Sequence, residues 1–230
     1  MKKMIALLLV AVMCISLVAC GSEKKAFENS KAAYNNINIA YEITEQYGDD
    51  VYNAWRLAIY EQDKILEYGI EYLAKELSLS EDELIAGVGY LVEVLLPADW
   101  YGMTGDYDWL GGYEKCINKI AQDTDNVFEL VRLNLYSFCV MLVQGSYVVN
   151  GKVAEAQSAL DVAKEQMKEL SEKYSDYEHY PNLKGYYVTT SSFFEFCQNL
   201  TGSFEENKDT FDKYKSEAHD YISNLDYFFE

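Results

Sequence analysis

Apolar residues recur at spacings of three and four along most of this 230-residue chain. The series Tyr34, Ile37, Tyr41, Thr44, Gly48, Val51, Trp55, Ala58 keeps one register throughout, which places its members on one face of a helix. It predicts a long helix over about 27–62, with a soft point at Gly48-Asp49-Asp50 and a two-helix break there as the alternative. A shorter helix over about 63–77 carries Leu66, Ile70 and Leu73. The next begins at Ser80-Glu81-Asp82-Glu83, a capping box in which Ser80 and Glu83 satisfy orphan backbone N–H groups reciprocally. It buries Leu84, Val88, Leu91 and Leu95 and stops before Pro97.

Residues 97–112 form the longest stretch without helical spacing; Gly and Asp set its backbone and aromatic rings supply its bulk. A second long helix is expected over about 113–149, with Ile117, Ile120, Thr124, Val127, Val131, Phe138, Leu142, Gly145 and Val149 on its seam. From Leu133 to Val149 it carries no charge on any face, which reads as the central helix of a bundle. Asn150-Gly151 ends it with a sharp reversal. Val153, Ala156, Leu160, Ala163, Met167, Leu170 and Tyr174 follow as the cleanest heptad, with alanines that permit close antiparallel approach to the preceding helix. Pro181 precedes a helix over about 182–201 carrying Phe193, Phe194, Cys197 and Leu200. Ser203 and Glu206 form a second capping box, and the last helix carries Phe204, Phe211, Tyr214, Ala218, Tyr221, Leu225 and Phe228. The pattern predicts an all-α fold, an antiparallel bundle of about four long and two or three shorter helices in a single domain, 27–230.

Composition supports folding. Half the residues are hydrophobic and 15% are aromatic, enough apolar surface to offset ordering entropy despite a net charge of −19. That charge excludes nucleic acid as a partner, because affinity there comes from cations neutralising phosphates. It also repels anionic lipid headgroups.

The N-terminus changes the picture. Lys2 and Lys3 precede an apolar run from Met4 to Ala19, which ends in Leu17-Val18-Ala19-Cys20. A basic start, an apolar core and small residues before the cleavage point make a secretory signal. The placement of the cysteine resembles the lipobox of bacterial lipoproteins. The resemblance implies cleavage between Ala19 and Cys20, a diacylglyceryl group on the Cys20 thiol, and a location on the extracytoplasmic face of the cell membrane. Residues 1–19 would then be a removed signal peptide and 20–26 a lipidated cysteine with a tether of at most roughly 20 Å when extended. Removal takes away Lys2 and Lys3 and no acid, so the mature charge would be −21. The run is shorter than the roughly 20 residues that span a bilayer.

The search for chemistry finds little. His179 and His219 are the only histidines, read as surface residues in a loop and on the polar side of the last helix. Neither has a His or Cys at ligand spacing, and no hydrolase, phosphate-loop or dinucleotide motif occurs. Cys116, Cys139 and Cys197 are odd in number and read as small buried apolar residues, with a bridge from Cys197 to one of the others as the alternative. Asp106, Asp108 and Gly111 match the start of a calcium loop, but Leu110 and Ile117 stand where ligands are required. No metal, no cofactor and no catalytic residue is therefore expected. The best binding candidate is the loop with Trp100, Tyr101, Asp106, Tyr107, Asp108 and Trp109, whose rings and carboxylates suit sugars or a basic peptide. The chain reads as a membrane-anchored binding module for an envelope protein, basic peptide or cell-wall glycan. A small-molecule sensor or solute-binding subunit is the alternative, and an envelope carbohydrate-active enzyme a more distant one.

Overall fold

The computed structural model describes the backbone of residues 2–90, 135–200 and 202–229, with side chains from Glu23 onward within those ranges. Their regular structure is all helical. The seven helices are α1 (Lys2–Tyr60), α2 (Gln62–Glu76), α3 (Glu81–Tyr90), α4 (Leu135–Val149), α5 (Lys152–Lys173), α6 (Tyr180–Gln198) and α7 (Phe204–Phe229). Among residues with described side chains, no helix is long and apolar enough to cross a membrane.

α1 is the hub of the bundle. All eight members of its predicted seam, Tyr34 to Ala58, are buried. A second stripe, Tyr47, Asp50, Ala54 and Leu57, is buried beside it. One helix can bury two stripes only if it has neighbours on several sides, and α1 packs against α2, α4, α5, α6 and α7. Cross-contacts fix the directions. Tyr34 meets Asp226 and Asp49 meets Lys215, so α7 runs antiparallel to α1. Asn36 meets Gln166 near the end of α5, while Ala40 joins Ala156 and Leu160, again antiparallel. Tyr186 donates to Asn38 and Phe193 lies against Gly48, so α6 runs parallel to α1.

This hub corrects the expectation that the uncharged 133–149 segment is central. Within its described part, α4 packs on α1, α3 and α5, but Tyr136, Val148 and Val149 are exposed. Val149 thus leaves the predicted seam, whereas Leu142 and Gly145 hold it. The alanine seam of α5 also has another partner. It packs chiefly on α1, with Ala156, Ala159 and Leu160 around Ala40 and Phe194. The small side chains do allow close approach, but to the hub rather than to the preceding helix.

Gly48 is no soft point. The helix runs through it, and a Cβ there would lie 2.8 Å from the ring of Phe193. Glycine stands at this position because a phenylalanine fills the space. α1 also runs unbroken through Cys20 and residues 21–26, so this stretch is helical and spans about 9 Å, within the limit of roughly 20 Å set by a fully extended chain.

The local signals perform as read. Ser80 N–H donates to Glu83 Oε2 at 2.8 Å and Glu83 N–H to Ser80 Oγ at 3.3 Å. Ser203 and Glu206 repeat the arrangement. Gly151 takes φ 74° in the reversal before α5, and Pro181 sits in the first turn of α6, where its missing N–H costs nothing. At the C-terminus Phe229 is buried and Phe228 is 42% exposed, the reverse of the predicted assignment of Phe228 to the seam.

Candidate functional site

The candidate loop of Trp100, Tyr101, Asp106, Tyr107, Asp108 and Trp109 lies outside the described residues, as does Cys116. Cys20 lies on the helical backbone of α1. The candidate site among the described residues is a groove of about 460 Å³ at the far end of α1. It begins about 50 Å along the helix from Cys20, at 1.5 Å per residue.

Three elements build it. α1 supplies Trp55, which is 9% exposed and held from below. Phe204, the first residue of α7, meets Trp55 edge-on at 5.8 Å and stacks on Tyr52 at 5.2 Å. α4 supplies one wall. Tyr136, Val140 and Gln144 stand four residues apart, as do Ser137 and Met141, so all five share a face. Tyr136 stacks with Trp55 at 6.3 Å and stays 45% exposed. The link from α6 to α7 closes the groove with Gln198, Asn199, Leu200 and Gly202.

The polar groups here have a local origin. A helix C-terminus leaves backbone carbonyls without intrahelical partners. Gln144 Nε2 donates to the Cys197 carbonyl at 2.9 Å, and Asn199 Nδ2 donates to the Glu195 carbonyl at 3.0 Å. The Gln144 amide therefore fastens the end of α6 to α4, the Asn199 amide caps that end, and both border the groove. Among the described residues, no carboxylate, histidine, lysine, arginine or cysteine lines it. Such a surface can stack on flat apolar faces and exchange hydrogen bonds.

The titratable groups lie elsewhere. Asp50 is 1% exposed. Its Oδ1 accepts the Ser78 N–H and its Oδ2 accepts the Tyr147 hydroxyl, both at 2.8 Å. Burial raises its carboxyl above the ordinary value, against the pull of those hydrogen bonds. It ties α1 to α4 and to the link between α2 and α3. Next to it, Lys215 donates to both oxygens of Asp49 at 2.8 Å. Burial alone would lower the Lys215 ammonium, but Asp49 and Glu45 outweigh it and hold it raised. The signal for Asp50 was its place on the stripe of Tyr47, Ala54 and Leu57.

His219 meets the expectation of a surface residue, with Nε2 3.1 Å from Glu45 Oε1. His179 does not. It lies in the turn before α6, as expected, but is 7% exposed and packs 3.9 Å from the ring of Phe228, so the surface reading fails. Cys139 and Cys197 are free and buried, so no bridge joins them. Burial pushes both thiols up, away from reactive thiolate. Among the described residues, no group of three His, Cys, Asp or Glu side chains is arranged to hold a metal ion. No protein-family model, curated protein or solved structure matches this chain.

Proposed function

We propose that this chain is an extracytoplasmic binding module, anchored to the cell membrane by lipid on Cys20, with the groove beside Trp55 as its binding surface. The observation that carries the binding reading is the groove's lining. A quarter of the chain is charged, yet no charged side chain is among the described residues that line this depression. A surface kept free of charge in so acidic a protein suits a neutral ligand. The chemistry fits a hydroxyl-rich one, such as a segment of cell-wall glycan. A sugar face stacks on Tyr136, and the Gln198 and Asn199 amides meet its hydroxyls. The volume also suits a small solute, which keeps the sensor reading on the same groove.

A basic peptide of an envelope protein is the second reading. The mature charge of −21 favours it, because an acidic surface draws cationic partners. The loop with Trp100, Tyr101, Asp106, Tyr107, Asp108 and Trp109 is proposed as a further aromatic surface for the same partner.

The test is retention of the mature domain on immobilised wall glycan and on a lysine-rich peptide. Tyr136→Ala and Leu200→Ala remove lining at modest cost to the core, unlike Trp55→Ala. Glycan retention that falls about tenfold in these variants, and resists salt, supports the first reading. Retention on the peptide alone, lost with salt, supports the second. Equal retention of wild type and both variants on either matrix would overturn the groove as the site. Trp100→Ala and Trp109→Ala test the loop in the same way.

A further inference from the structure

The end of the bundle nearest Cys20 is ringed with exposed aromatic side chains. Phe27 is 39% exposed, Phe228 42% and Tyr227 87%. They form one continuous set. Phe27 lies 5.8 Å from Phe229, His179 packs against both Phe229 and Phe228, and Tyr227 meets Phe228 at 5.1 Å. Phe229 and His179 are the buried floor, and the three exposed rings are the rim. Phe27 stands on the same unbroken helix as Cys20, about 10 Å along its axis. A helix that short and continuous cannot carry the rim far from a lipid on Cys20. The charge of this stretch of α1 also departs from the rest of the chain. Residues 20–31 hold Lys24, Lys25 and Lys31 against Glu23 and Glu28, a net of +1 in a domain otherwise strongly acidic.

We infer that this rim is a membrane-interface site: Phe27, Tyr227 and Phe228 insert among the lipid headgroups of the bilayer that holds Cys20, and set the bundle upright on it. This rests on the anchoring reading above. Tyr settles at the headgroup level because its ring is apolar and its hydroxyl stays wet, and Phe buries its apolar ring at the boundary with the acyl chains. Lys24 and Lys25 meet lipid phosphates there.

The test uses the acylated protein in vesicles of phosphatidylethanolamine and phosphatidylglycerol that contain lipid brominated near the headgroup. Phe228→Trp is compared with Tyr60→Trp, an exposed position at the opposite end of α1. Fluorescence from Phe228→Trp shifts to the blue and is quenched, whereas Tyr60→Trp matches the unsubstituted protein. Flotation with the vesicles and the mass of acylated Cys20 are read on the same samples. Floating, acylated protein with neither tryptophan quenched, or with both quenched alike, would overturn the upright seat and leave the anchor standing. Protein that neither floats nor carries the acyl mass would remove the anchor, and the seat with it.

Discussion

At the Cys20 end of α1, the rings of Phe27, Tyr227 and Phe228 stand outward around a closed floor of Phe229 and His179. At the other end, Trp55 is buried beneath an open groove with Phe204 packed against it, while Tyr136 and Tyr60 stand partly in solvent. The difference lies in what surrounds the rings. The near end is closed by the termini of α6 and α7, so extra aromatic surface has nowhere to go but out. The far end is held open by α4, which α3 and Asp50 position from behind. Aromatic content alone does not separate these cases; the neighbouring backbone does.

The largest expected effect breaks the support of the far end. α3 crosses α4 at Gly87, where a Cβ would lie 2.5 Å from the Leu142 carbonyl oxygen and 2.3 Å from Ser146 Oγ. Because one obstacle is backbone, the helices must move apart. Gly87→Ala should lose about 3 kcal/mol in urea denaturation. Gly89 faces open space on the same helix, and Gly89→Ala should gain about 0.5 kcal/mol from helix propensity.

Asp50 supplies the next test. Asp50→Ala leaves the Ser78 N–H and the Tyr147 hydroxyl without their acceptor and should lose about 2 kcal/mol. The pH dependence has a defined sign. The folded pKa is raised above the ordinary value of 3.8, so the folded chain holds this proton more tightly than the unfolded one. This contribution is greatest below 3.8 and is lost as pH rises through the folded value. Asp50→Asn should remove that segment of the stability profile. Glu83 acts oppositely. Hydrogen bonds from Ser80 lower its carboxyl below 4.5, so its contribution holds above that value and is lost as pH falls through the folded pKa.

Ser80→Ala removes the cap of α3 and should cost about 1 kcal/mol in the same urea series. The smallest effect sharpens the comparison at the near end. Phe228→Ser should change stability by only about 0.5 kcal/mol, since the ring is already partly in solvent. A loss as large as that of Gly87→Ala would mean the rim is part of the core.

Much of this architecture was legible in the sequence because it is local. Helix periods, the Ser80 and Ser203 boxes and the Asn150-Gly151 reversal depend on residues a few positions apart. The α1 seam was legible for the same reason. Partner choice was not. The uncharged run of α4 suggested a hub, but Tyr136, Val148 and Val149 face outward and α1 takes the centre. Local period says that a face is buried, not which helix buries it. His179 and Asp50 escaped likewise, since their burial depends on Phe228 and Tyr147, 49 and 97 positions away. The groove joins residues from three distant segments, and its signal, the stripe Tyr136, Val140, Gln144, read simply as more helix.

The continuity of α1 through Cys20 has a geometric consequence. A flexible leash would let the molecule swivel, but a helix transmits rotation. Each residue added between Cys20 and Ala26 would turn everything beyond it by about 100° and raise it by about 1.5 Å. The count of residues in that short stretch therefore sets the compass bearing of the groove relative to Cys20, and a seven-residue insertion would nearly restore it at greater height.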